Sequence, residues 1–237
     1  MHYLKTGASK IGIELSPAQL EQFSIYYKEL MEWNEKINLT SITSPKEVQI
    51  KHFLDSLSVT LALKQPIDNQ RFLDVGAGGG FPGLPLKIAF PAIKLVLLEA
   101  TAKKATFLHH LTQRLWFDDV NILTGRAEEI AHQSQYRERF DIVLCRAVSR
   151  LPVLAELTLP FCAIGGHLIA QKKGDIDAEI DKATKAIETL GGGQPLVRRV
   201  ELDELSDERY LVISNKIAPT PDKYPRRPGI PAKRPIV

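Results

Sequence analysis

An apolar strand that meets an acid and then a row of spaced glycines, Arg71-Phe72-Leu73-Asp74-Val75-Gly76-Ala77-Gly78-Gly79-Gly80-Phe81-Pro82-Gly83, constrains this chain more than any other segment. Phe72, Leu73 and Val75 suit a buried strand. Glycines at 76, 78, 80 and 83 remove the Cβ atoms that would obstruct a tight turn or a ligand lying close to the backbone. A purely structural turn explains them poorly, because each glycine costs roughly 0.5–1 kcal/mol of folding entropy relative to alanine. The pattern points to a nucleotide-type cofactor.

Two kinds of site use such a loop. Gly78-x-Gly80-x-x-Gly83 fits the bare spacing that cradles a dinucleotide pyrophosphate. Asp74, just before the first glycine, would repel that anion. The same acid suits a cationic ligand such as S-adenosylmethionine, which carries a sulfonium and an α-ammonium, and this reading is preferred.

The residues that follow read as a doubly wound α/β sheet. A second strand, 95–98, ends in Glu99, about twenty residues past the glycines, where a carboxylate can accept from ribose hydroxyls. Phe107, Leu108, Leu111 and Leu115 recur at helical spacing, with Lys103, Lys104 and Arg114 on the wet side. A third strand, 120–123, leads to Ala127 and Glu128 at the ligand edge, where Glu128 could accept from an adenine amino group or simply open a helix. The fourth strand, 140–144, delivers Cys145-Arg146-Ala147 to the same edge. Arg146 there requires a cofactor carboxylate, an RNA phosphate or a protein acid such as Asp141 or Glu128. A fifth strand, 165–170, ends in Gln171-Lys172-Lys173-Gly174. A helix over 176–190 and strands over 196–202 and 209–214 complete a mostly parallel Rossmann-like methyltransferase sheet with a late antiparallel hairpin strand.

The first 65 residues differ in kind and read as a helical cap packed on the sheet. Ser16-Pro17 starts a helix whose apolar positions are Leu20, Phe23, Tyr27, Leu30 and Met31. Ser44-Pro45 starts another, with Val48, Phe53, Leu54 and Leu57 inward. Lys46, Lys51 and His52 are expected on a solvated face, with substrate contact as the alternative. Residues 66–217 form the cofactor-binding domain, and 218–237 a basic, proline-rich tail. From 216 onward six cations, Lys216, Lys223, Arg226, Arg227, Lys233 and Arg234, stand against Asp222, an excess of +5 on a chain of net charge +3. Six prolines favour an extended segment that follows a phosphate backbone, with Tyr224 as a stacking surface, or else a solvated terminus.

There is no long apolar span and no secretory leader pattern, so a cytoplasmic protein without membrane contact is expected. Cys145 and Cys162 fit neither a disulfide framework nor a zinc spacing and read as reduced core thiols. No metal is expected, and the histidines lack metal-ligand spacing.

Trp33-Asn34, Asn38-Leu39-Thr40, His52-Phe53-Leu54-Asp55-Ser56-Leu57, the glycine block 74–83, Arg146-Ala147, Lys173-Gly174 and Glu208-Arg209-Tyr210-Leu211-Val212 occur in order along most of the chain. Together they resemble the RsmG (GidB) family. Tyr224-Pro225-Arg226-Arg227-Pro228-Gly229 and Pro231-Ala232-Lys233 resemble the tails of some members. The resemblance implies a methyltransferase that moves a methyl group from S-adenosylmethionine to N7 of a guanosine in small-subunit ribosomal RNA, acting on the RNA or the subunit as a monomer. It places Gly76, Phe81, Ala127, Glu128 and Arg146 on the cofactor. Class-level geometry adds Asp74, Gly78 and Glu99. One departure is visible: the family often has a shorter Ala-Leu-Lys-Gly block where this chain has Ala170-Gln171-Lys172-Lys173-Gly174. Lys173 and the tail cations Lys223, Arg226, Arg227, Lys233 and Arg234 are the expected RNA contacts. No general base is expected, because guanine N7 offers a lone pair and no proton. Two other readings stay open, an NAD-type oxidoreductase and a non-catalytic RNA-binding protein on the same fold.

Overall fold

The computed structural model describes residues 1–63 and 66–236. The expected boundary after residue 65 therefore falls partly outside the described residues. Seven strands form one sheet in the order β3-β2-β1-β4-β5-β7-β6. These are β1 (Arg71–Val75), β2 (Lys94–Glu99), β3 (Asn121–Thr124), β4 (Phe140–Arg146), β5 (Cys162–Lys173), β6 (Leu196–Arg199) and β7 (Arg209–Asn215). The first five pair in parallel, and β7 runs antiparallel between β5 and β6. From β1 the chain winds outward through β2 and β3, then returns to place β4 on the other side of β1. That reversal opens a crevice past the C-terminal ends of β1 and β4, the place where open α/β sheets bind ligands.

The central strands β1, β2 and β4 are buried on both faces because both faces are covered, whereas the edge strand β6 is exposed throughout. On one side lie α5 (Gly83–Ala89), α6 (Ala102–Arg114) and the N-terminal helices. On the other lie α7 (Ala127–Ile130), α8 (Leu151–Thr158) and α9 (Asp177–Thr189). The N-terminal part begins with α1 (His2–Lys10) and α2 (Pro17–Asn34). Helix α2 is closed by a capping box in which the Ser16 hydroxyl takes the Gln19 N–H and the Gln19 side chain takes the Ser16 N–H. It is tied to the sheet layer through Gln19 to the carbonyls of Ile88 and Ala89, and through Glu29 to His110 and Arg114 of α6. Its buried face carries Phe23, Tyr26 and Leu30. Tyr26, one position from the expected Tyr27, is fully enclosed.

Helix α3 (Pro45–Val48) opens into a π-helical stretch, Gln49–Leu54, before α4 (Asp55–Leu57) and a 3-10 turn, Ser58–Ala62. The widened turns bury Gln49, His52, Asp55 and Ser56 along with Phe53, Leu54 and Leu57. Burial all round the helix overturns the solvated face expected for His52, whereas Lys51 stays half-buried beside Glu47 at 2.7 Å and Lys46 lies over the Tyr3 ring.

Helix α8 was not separately visible in sequence. Its residues are almost uniformly buried, so the segment carries no amphipathic period. Strand β5 is longer than the expected 165–170. It starts at Cys162, and only glycine fits at position 166, because a Cβ there would meet three backbone carbonyl oxygens within 3 Å. Both cysteines are free and buried. Among the described residues no helix is long and apolar enough to cross a membrane, and no group of side chains could hold a metal ion.

The largest correction concerns the C-terminal segment. It folds back over α7 and α8, and Ile230–Lys233 forms a short helix, α10. The prolines permit this because Pro231 sits in the first turn, where no N–H is needed, and Gly229 turns into it at φ 81°. Arg226, expected on RNA, instead sends N–H groups to both oxygens of Glu156, a completely buried acid, at 2.6–3.2 Å. Lys216, counted with the tail cations, is also internal and is bonded to the carbonyls of Leu159 and Leu190. Lys223, Arg227, Lys233 and Arg234 remain exposed.

Candidate active site

The glycine loop starts where β1 ends. The N–H groups of Gly76 and Ala77 donate to the Leu98 carbonyl at 2.8 and 3.1 Å, which pins the turn to the neighbouring strand. Gly76 has φ 73°, and a Cβ at that position would lie 2.8 Å from Val148. Gly80, at φ 95°, is equally constrained, since its Cβ would stand 2.5 Å from the Tyr26 hydroxyl.

Three acids surround this turn, each held differently. Asp74 is fully buried and accepts the Gly83 N–H through Oδ2 at 2.8 Å, while Oδ1 has no partner among the described residues. Burial pushes its carboxyl up to about 7, against the pull of the Gly83 N–H and the Arg146 cation. Glu99 accepts the Gly78 N–H at 2.9 Å and the Thr101 N–H at 2.7 Å, so its carboxylate is fixed beside the loop. Glu128, at the start of α7, accepts the Gly229 N–H at 3.1 Å through one oxygen. Gly76, Leu98, Gly125, Ala127, Glu128 and Val148 enclose a narrow cleft of about 110 Å³.

S-adenosylmethionine fits these residues. The unpartnered oxygen of Asp74 gives the loop a buried negative site for a cation. Glu99 has lone pairs left for a ribose diol. Ala127 and Glu128 line the same cleft. A pyrophosphate would meet three carboxyl groups here, which disfavours the dinucleotide reading.

On the other side of the crevice, Arg146 at the end of β4 organises a second cluster. Nη1 donates to Asp55 at 3.0 Å and to the Lys51 carbonyl at 3.3 Å, and Nη2 donates to Nδ1 of His52 at 3.1 Å. The protein acid is thus Asp55 of the cap, neither Asp141 nor Glu128. Asp141 accepts instead from the Arg71 N–H. Asp55 also faces Arg209 at 3.5 Å, and its carbonyl accepts from Gln171. His52 is driven down to about 3 by burial and by Arg146, so it stays neutral, accepts from the arginine and donates Nε2–H to Thr40 at 2.7 Å. Phe81 joins the two halves. Its ring stacks on Tyr26 and on His52 at 5.3 and 4.5 Å between centroids, with the Arg146 guanidinium 4.8 Å away. The Tyr26 hydroxyl donates to the Gly79 carbonyl.

Beyond Arg146 lies a cleft of about 490 Å³ at the C-terminal ends of β4 and β5, lined by Lys51, Arg146, Lys172, Lys173 and Arg209 with Glu179 as its acid. Lys172 pairs with Glu179 at 2.7 Å, whereas Lys173 is exposed. Asp55, Arg209 and Tyr26 escaped sequence reasoning. Asp55 had a signal, an acid set among Phe53, Leu54 and Leu57, which only a buried partner makes tolerable.

Sequence comparison agrees with this geometry. Residues 19–205 match the GidB family model, described as rRNA small subunit methyltransferase G. The chain belongs to that family. It is 54% identical over 237 residues to a ribosomal RNA small subunit methyltransferase G of Dehalococcoides mccartyi, covering all of both chains. The relative of that name in Brevibacillus brevis is 46% identical over 227 residues, 95% of this chain and 94% of its own. Among solved structures, a putative O-methyltransferase from Klebsiella pneumoniae superposes with TM-score 0.55 at 16% identity, covering 90% of this chain and 96% of that one. A SAM-dependent methyltransferase from Aquifex aeolicus gives 0.55 at 14% identity over 76% and 97%. At those identities the likeness concerns the fold. The antiparallel β7 between β5 and β6 is the late hairpin strand read from the sequence.

Proposed function

We propose that this chain transfers the methyl group of S-adenosylmethionine to N7 of a guanosine in small-subunit ribosomal RNA. It would act as a monomer in the cytoplasm, on free RNA or on the assembling subunit. The observation that carries the reading is the adjacency of an acid-lined crevice and a basic cleft, hinged on Phe81 and Arg146. Family membership supports the reaction class.

The bound cofactor supplies an electrophilic methyl group and a neutral thioether leaving group. The chain's own residues then have to position and neutralise. Glu99 and Gly78 hold the ribose side, and Ala127 and Glu128 the adenine side. Val148 lies close over Gly76 at the wall of the same cleft, within reach of a bound nucleoside. Arg146 keeps donors free for an anion, because Asp55, Lys51 and His52 occupy three of its five N–H positions. Lys51, Lys173 and Arg209 give the neighbouring cleft the charge to hold RNA phosphates. N7 of guanine needs no deprotonation, so alignment supplies the main rate term, on the order of 7–11 kcal/mol in well-oriented reactions. Neutral His52 fits that chemistry, since it neither competes for the methyl donor's charge nor has to move a proton.

Incubation with methyl-labelled S-adenosylmethionine and either small-subunit RNA or intact subunits, followed by mass-spectrometric mapping, tests the proposal. A labelled N7-methylguanosine is expected. Labelling of another base, or binding without turnover, would overturn it.

A further inference from the structure

We propose that the C-terminal segment is a strap that sets the adenine end of the cofactor site, with Arg226 as the positioning residue that fixes Glu128. The inference rests on reading Glu128 as the adenine-facing acid.

Helix α7, which presents Ala127 and Glu128, is only four residues long and cannot hold its own orientation. The segment that follows it is fastened to the strap at several points. Arg137 donates to the carbonyls of Thr220 and Tyr224 at 2.8 and 2.9 Å. His132 bonds the Pro225 carbonyl at 2.8 Å, and Glu138 accepts the Thr220 N–H at 2.7 Å. The strap then crosses α8, where Arg226 meets Glu156 through its backbone N–H and its guanidinium. Three residues later the Gly229 N–H reaches Glu128. Glu156 is fully buried, and its hydrogen bonds among the described residues all come from Arg226. Its neighbour Leu157 lines the cofactor cleft. The ion pair therefore sits between the strap and the wall of the site, and Gly229 carries its position to the Glu128 carboxylate.

Glu128 held in this way accepts from a purine 6-amino group and repels a 6-oxo group. The test is the ratio of affinities for S-adenosylhomocysteine and its inosine counterpart, measured by calorimetry. Wild type, Glu128→Gln, Arg226→Gln and the double variant Glu156→Gln/Arg226→Gln are compared. The double variant removes the buried unpaired acid, so it keeps the experiment informative if Arg226→Gln fails to fold. Discrimination should fall at least fivefold in Glu128→Gln and in the Arg226 variants that fold. Reduced thermal stability with an unchanged ratio in the Arg226 variants would overturn the strap while leaving the Glu128 reading intact. An unchanged ratio in Glu128→Gln would overturn that reading, and the strap with it.

Discussion

The molecule carries a segment beyond each end of its sheet, and the two are attached differently: one adds a shared apolar core to its ion pairs, the other relies mainly on polar contacts. The N-terminal cap shares one apolar core with a sheet face: the rings of Tyr26 and Phe53 lie 5.3 and 6.1 Å from that of Phe81 between centroids, and Phe23 packs behind Phe53 at 4.9 Å. The C-terminal strap buries Pro225 and Pro231 and half-buries Tyr224 and Ile236, and is otherwise held by an ion pair and bonds to backbone carbonyls. Non-directional apolar burial tolerates small displacements, whereas an acid sealed in the interior does not tolerate the loss of its partner. The cap is therefore a broad apolar foundation, and the strap a row of polar stitches of which the Arg226–Glu156 pair is the most deeply buried.

That contrast can be broken first at that pair. Arg226→Gln leaves Glu156 buried without its cation and is expected to lower stability by about 3–5 kcal/mol, read as a shifted urea midpoint. A change under about 1 kcal/mol would show that the strap is merely laid on the surface.

On the cap side, His52 titrates near 6.5 when unfolded and near 3 when folded. The unfolded chain gains the proton first, so stability should fall by roughly 2–4 kcal/mol as pH drops through that window. His52→Gln should flatten the acid limb of the stability profile.

Asp74 shifts the other way. Its folded carboxyl stays protonated up to about 7, so a cationic ligand that favours the carboxylate must release a proton below that pH. Affinity for S-adenosylmethionine should weaken about tenfold between pH 8 and pH 6, and Asp74→Asn should be weaker and independent of pH.

Tyr26→Phe removes the hydroxyl that caps the Gly79 carbonyl and should cost about 1 kcal/mol with little change in the apolar core. The smallest effect on stability belongs to Lys223→Ala/Arg227→Ala. The double change should leave the urea midpoint in place and reduce the salt slope of RNA binding by up to about 2. An unchanged slope would remove these exposed cations from the RNA surface.

The centre of the sheet was legible because β1, β2 and β4 are short apolar runs with chemically distinctive ends, Asp74-Val75-Gly76, Glu99 and Arg146. The helix start at Ser16-Pro17 was legible for the same local reason, whereas the reciprocal bond from Gln19 came only with the structure. Arg226 was misread because charge counting sees composition and not partners, and Glu156 lies seventy positions away inside a helix that gives no periodic signal. His52 was misplaced because the π-helical turns abolish the 3.6-residue period from which a wet face is inferred. Both errors arose where a polar group is buried by a long-range partner, the situation a single sequence encodes least.

The plate formed by Phe81, His52 and Arg146 has a thermodynamic corollary. Phe81 belongs to the glycine loop and Arg146 to the rim of the cleft proposed for the nucleic acid, yet they share one contact. A ligand that shifts the phenyl ring also changes the surface on which the guanidinium rests. By reciprocity, whatever factor one substrate imposes on the other's affinity must be returned unchanged in the opposite direction. Order of addition can then alter the path to the ternary complex but not its stability.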